Sequence, residues 1–161
     1  MVMAIILATS SVALPAFAKA LERQRAAASL HAIAAQFAIA RSTAITRRTH
    51  VSVCPSRGDG TCRSDWDWSE GWLMYLDPGR KGQPAQGTDI LRNERAPAPR
   101  SLVILSSDGR RAVRFQPNGK TSGSNITVRV CQEERLLGSV VVNNLGRVRS
   151  ERPRGTQACN H

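Results

Sequence analysis

The spacing of hydrophobic and polar positions changes character twice along the chain. Residues 1–18, "MVMAIILATSSVALPAFA", carry no charge, and residues 19–49 contain no Gly or Pro and are rich in Ala, Arg, Gln and Leu, which are good helix formers. Within that second stretch Leu21, Leu30, Ile33 and Phe37, with interspersed alanines, recur at helical spacing, while Arg23, Arg25, Arg41, Arg47 and Arg48 occupy other positions. The pattern predicts one helix running to about residue 48, bent at Pro15. As a helix, residues 1–18 would measure ~27 Å, close to a ~30 Å hydrocarbon core.

After residue 49 short runs rich in β-formers take over. "THVSVC" (49–54), "GWLMYL" (71–76), "SLVIL" (101–105), "AVRF" (112–115), "SNITVRVC" (124–131) and "LLGSVVVN" (136–143) read as strands. Asp108-Gly109, Pro117-Asn118-Gly119 and Asn143 to Gly146 separate them, and Gly or Asn supplies the positive φ such turns require. Closely spaced short strands predict an antiparallel sheet system. Residues 77–100, punctuated by Pro and Gly, are expected to form a long irregular connection.

Charge alters this picture of a helix on a sheet domain. The net charge is +11, with pI ≈ 11.1, which implies an anionic partner: nucleic acid, lipid headgroups or an acidic protein. Residues 1–89 hold 10 Lys and Arg against 7 Asp and Glu, whereas residues 90–161 hold 13 against 5, so the basic character belongs to the second half.

Cys54, Cys62, Cys131 and Cys159 make an even set in a small chain with an apolar start, which favours an oxidising compartment and two disulfides. Three pairings are open. Cys54 with Cys62, closing a short Gly/Asp-rich loop, and Cys131 with Cys159, tethering the tail, are the favoured pair. Close Cys/His pairs of the CxxC kind, which zinc would use, do not occur in the sequence.

The sequence offers little for catalysis, and neither a metal nor an organic cofactor is expected. His31 and His50 fall within and at the end of the predicted helix, His161 is terminal, and no nucleophile–base arrangement presents itself. Asp65, Asp67 and Glu70 in "SDWDWSE" lack the spacing of a calcium loop. They read as a polar loop leading into a strand, with Trp68 and Trp72 in the core, Gly71 between their rings and Trp66 the most exposed.

Several of these segments carry a resemblance. "ALPAF" around Pro15 resembles the bend of the pilin helix, "WSEGWLMYLD" (68–77 from its Trp) resembles the W-x-x-G-W strand signature of the GspH/FimT family of pilin-like proteins, and "FQPNG" (115–119) its second signature. "GRVR" (146–149) resembles the C-terminal G-R-x-R of the FimT branch. The resemblance implies an α+β, pilin-like fold: a long N-terminal α-helix packed on an antiparallel β-sandwich-like domain. Residues 1–18 would be the membrane-inserting half of the helix, 19–49 its amphipathic half and 50–161 the globular domain. Ala16-Phe17-Ala18 also fits a signal-peptide cleavage site, but no basic leader precedes it, and the pilin leader, processing Gly and mature N-terminal Glu have no counterpart, so Met1 reads as an internal methionine.

The resemblance further implies a minor type IV pilin that binds DNA during uptake, with other minor pilins as partners. Its location would be the bacterial inner membrane, single-pass, with a periplasmic domain that joins the fibre on assembly. The alternative is a GspH-type minor pseudopilin with a structural role in type II secretion. Arginines Arg147, Arg149, Arg152 and Arg154 are the candidate DNA contacts and Gly146 supports them. If residues 147–149 are extended, Arg147 and Arg149 project on one face ~6.6 Å apart while Val148 points to the core. A guanidinium fork suits phosphate oxygens, and such contacts position without reading bases. Arg110, Arg111, Arg114 and Arg129 are the candidates for extending that patch.

Overall fold

The computed structural model describes residues 2–97 and 101–159, with side chains from Phe17 onward. One α-helix, α1 (Val2–Arg47), leads into eight strands. It ends where Arg48 takes a positive φ of 51°. The bend expected at Pro15 falls where side chains are not described. Among the described residues no helix is long and apolar enough to cross a membrane.

The helix buries Ala26, Leu30, Ile33, Phe37, Ala40 and Ala44, a stripe that advances by alternate steps of four and three. Leu21, expected in that stripe, is 36% exposed, because the sheets first meet the helix about a turn later. Phe37 meets Trp68 edge-on, ring centroids 5.7 Å apart at 77°, a favoured aromatic geometry.

Two four-stranded antiparallel sheets face this stripe. The first has the order β3 (Ile90–Arg95), β2 (Gly71–Leu76), β1 (Val51–Pro55), β5 (Val113–Phe115); the second runs β4 (Val103–Ser106), β6 (Ile126–Gln132), β7 (Arg135–Val142), β8 (Val148–Glu151). Val51, Val53, Trp72, Met74, Val128, Val130 and Val140 join the helix stripe in one core. All of β1 is buried because the other face of the first sheet is covered too. There Cys54, Leu73 and Tyr75 form a small second core with Cys62 and Ile90, roofed by the loop that the Cys54–Cys62 disulfide closes. Cys131–Cys159 is the second disulfide, so both favoured pairings are the ones formed.

The expected strands fall within about two residues of those formed, with one correction. The stretch 77–100 is not wholly irregular: Gly87–Asp89 is a 3-10 turn and Ile90–Arg95 is β3. β3 is an edge strand that pairs only with β2 and keeps most of its charged side chains in water, so it shows no apolar alternation. Its legible signal is that "TDILRNERA" is the one long run free of Gly and Pro in that stretch. Gly71 also has a different reason than two flanking rings. A Cβ there would overlap the Glu94 carbonyl oxygen of β3.

Candidate nucleic-acid interface

The site grows from two turns that meet. Asn143 to Gly146 reverses the chain after β7: the Gly146 amide donates to the Asn143 carbonyl at 2.9 Å, and the Asn143 side-chain oxygen accepts the Arg147 amide at 2.9 Å. Thr121 grips this turn from outside, its hydroxyl donating to the Asn143 carbonyl at 3.0 Å and its amide to the Asn144 carbonyl at 3.0 Å. Thr121 follows the second turn, Gln116 to Gly119, whose Gly119 carbonyl accepts Arg41 Nε of the helix at 3.0 Å. Gly146, with φ 74°, lies directly on Gly119: a Cβ on Gly146 would overlap the Gly119 carbonyl oxygen and stand 3.2 Å from Arg41 Nε. "FQPNG" and "GRVR", far apart in sequence, are thus one contact, held by a helix arginine.

From this anchored turn the chain enters β8. Val148, opposite Val142, is half-buried against the main core, while Arg147 and Arg149 are exposed, the alternation the extended backbone requires. Register extends the outer face. Arg149 lies opposite Val141 and Glu151 opposite Ser139 on β7; Val141 and Ser139 lie opposite Thr127 and Arg129 on β6. Arg129 therefore shares the face of Arg149, two strands over and two residues along, about 12 Å away by sheet spacings. Glu151 sits on that face as well and takes Arg149 Nε at 2.8 Å. Both partners are largely exposed, so the pair is weak.

Arg110, Arg111 and Arg114 are employed elsewhere. Arg114 binds the buried Asp77 at 2.9 Å, which also accepts the Ser52 hydroxyl at 2.9 Å. Arg110 donates to the Ser122 and Ser124 carbonyls, and burial, with Arg114 nearby, holds its pKa below the usual guanidinium value. Arg111 donates to the Ser64 carbonyl. Arg154 is exposed on the tail. Arg152 is not brought to the outer face with Arg147 and Arg149; it lines a cleft against the helix.

The acidic loop has an owner that the sequence reading missed. Arg63, its side chain 10% exposed, is held by Asp65 at 2.7 Å, Asp67 at 3.0 Å and Glu70. Its hydrogen bond keeps the Asp65 carboxyl below the usual carboxylate range. Trp68 and Trp72 are buried and Trp66 is 43% exposed, as expected. His31 is exposed on the helix and His50 is half-buried; His161 lies outside the described residues.

A long helix laid against two antiparallel sheets defines a pilin-like fold. Residues 29–146 match the family described as type II transport protein GspH. The chain belongs to this GspH family, a family of minor pilins and pseudopilins. The fold is similar to that of the type IV minor pilin FimU of Pseudomonas aeruginosa in two crystal forms, one with TM-score 0.67, 20% identity and coverage of 86% of this chain and 95% of that one. The other form has TM-score 0.63 and 20% identity, covering 82% and 98%. It is also similar to the minor pseudopilin EpsH of the type 2 secretion system of Vibrio cholerae, with TM-score 0.54, 13% identity and coverage of 80% and 98%. No curated protein sequence matches the chain. The family match stops at Gly146, one residue short of Arg147, so the arginine pair rests on its own geometry.

Proposed function

We propose that this protein is a minor type IV pilin that binds DNA without sequence preference during uptake, and that Arg147 and Arg149 are its phosphate grip. One observation carries the reading: exposed Arg147 and Arg149 flank Val148 at the start of the edge strand β8, Val148 packs on the core and the entry turn is locked on Gly119. The guanidiniums are therefore presented with little ordering left for binding. Arg129 on the same face extends the grip, and Arg154 on the tail is its remaining auxiliary. Before assembly the apolar start of the helix would sit in the bacterial inner membrane with the sheet domain in the periplasm, and afterwards the helix would join the fibre among other minor pilins.

Gel-shift titration against salt tests the reading. Arg147→Ala with Arg149→Ala removes about two phosphate contacts and lowers the salt slope by roughly 1.8; unchanged slope and affinity would sink it. The family description and the likeness to EpsH favour a second reading, a structural pseudopilin of type II secretion. A deletion strain that loses enzyme secretion but keeps transformation would establish that one.

A further inference from the structure

The displacement of Arg152 from the outer face points to a second anion site. Arg23 of the helix, Arg135 at the start of β7 and Arg152 of the tail line one cleft of about 560 Å³, and all three are exposed. Among the described residues none of them takes part in an ion pair; Arg135 donates only to the Gln132 side chain, at 3.1 Å. The remaining lining is largely apolar, including Ala26, Leu30, Leu136 and Leu137. The volume is that of a small-molecule site.

The walls are held in place. Leu30 presses onto β7 at Gly138, where a Cβ would overlap its side chain. On the opposite side the tail is stitched to β7 and the turn before it: the Leu136 amide donates to the Gln157 carbonyl at 2.9 Å and the Cys159 amide to the Glu134 carbonyl at 2.7 Å, and Cys131–Cys159 locks the stitch. Glu22, Glu133 and Glu134, with Lys19, line an adjoining groove that shares Arg135 and Thr156 with this cleft.

The position of the cleft selects its ligand. The uncharged segment ends at Ala18, so Arg23 stands about 7.5 Å further along the helix, at the height of a headgroup layer of roughly 5–8 Å. Helical side chains tilt toward the N-terminus, which aims Arg23 back at the bilayer. A duplex is too wide to enter between helix and tail, and an apolar floor is of no use to it. At that height the cationic rim meets a lipid phosphate, whose acyl chains run back toward the uncharged segment while its headgroup carbons extend toward Ala26 and Ala27.

We propose that this cleft binds the phosphate headgroup of an anionic phospholipid at the membrane surface. The proposal rests on the membrane-anchored reading above. Native mass spectrometry of the full chain in detergent tests it, with phosphatidylglycerol and phosphatidylcholine offered together. The expected result is retention of phosphatidylglycerol over phosphatidylcholine by about tenfold or more, lost in the variant combining R23Q, R135Q and R152Q and kept in R147Q/R149Q. The corresponding Arg→Lys triple should keep part of the preference, and circular dichroism should show the Gln triple folded; R135Q alone, at an exposed position, should weaken the preference in the same direction. Equal retention of the two lipids, or a preference that survives the Gln triple, overturns the proposal. Displacement by millimolar inorganic phosphate would assign the site to a free phosphate instead, and displacement by a short DNA duplex would assign it to nucleic acid. Failure of the anchoring itself is read separately, as failure of the chain to partition into phosphatidylcholine vesicles.

Discussion

Gly146 rests on Gly119 so closely that neither turn has room for a side chain between them: a Cβ on Gly146 would overlap the Gly119 carbonyl, and one on Gly119 would stand 2.9 Å from Ile45 of the helix. The entry to the arginine strand is therefore tied to the helix through a second turn. Gly146→Ala should cost about 2 kcal/mol or more, from the left-handed backbone and the overlap together. Gly155→Ala is the control, since Gly155 has φ 81° but nothing within 4 Å, and it should cost only about 1 kcal/mol. Urea denaturation compares the two. Equal costs would remove the stack from the account.

Glu151 restrains one arginine of the proposed grip. Its carboxylate holds Arg149 at 2.8 Å on the exposed face, so Glu151→Gln should free the guanidinium and remove a repulsive charge. DNA affinity at low salt should rise about fivefold, with a salt slope steeper by up to ~0.9. Gel shifts at two salt concentrations suffice, and lower affinity in the variant would contradict the proposed interface.

Arg129 and Arg114 should separate cleanly in function and stability. Arg129 shares the face of Arg149 by register, so Arg129→Ala should lower the salt slope by ~0.9 and leave stability nearly unchanged. Arg114→Ala strands Asp77, whose side chain is 2% exposed; it should cost about 2–3 kcal/mol and leave the salt slope alone. Parallel titrations and melts of both variants check the contrast.

The Arg63 cage should show in acid. The Arg63 hydrogen bond lowers the folded pKa of Asp65, so its contribution is complete above the unfolded value of ~3.9 and fades as pH falls through the lower folded value. Because Asp65 is 45% exposed, the effect is small, on the order of several tenths of a kcal/mol. Arg63→Met should flatten the acid limb of a stability-against-pH curve. A variant with the same acid limb as the parent would show that the cage contributes nothing through Asp65.

Tyr75 is the single tyrosine, fully buried, and burial first, then the nearby Asp77 charge, pushes its pKa up to about 12. Its phenol is protonated more strongly folded than unfolded, so the stability it supports is whole below the unfolded value of ~10 and is lost as pH rises toward 12. Absorbance titration of phenolate should show an inflection near the upper value in the folded protein. An inflection near the ordinary value would mean that water reaches the ring.

How much of this was legible in the chain differs by feature. The helix, its end near residue 48 and most strands follow from local period and turn chemistry, because Phe37 or Val128 signals burial by spacing alone. β3 escaped because a charged edge strand has no buried face to announce itself. Arg63 escaped because nothing in a run of acids tells which cation they surround. Trp68 and Trp72 were legible as core, whereas the true neighbour of Gly71 was a carbonyl some twenty residues away.

For the arginines the division is sharper. By itself the sequence determined that positive charge concentrates in the second half and that Arg147 and Arg149, straddling an apolar Val148, would share one side of any extended strand; both follow from composition and from a two-residue repeat. Only the tertiary structure decided that Arg129 joins them, that Glu151 restrains one of them, that Arg114 serves Asp77 and that Arg152 turns to the helix. Those outcomes depend on strand order and register, which are set by how two sheets close over one helix stripe rather than by any local run of residues.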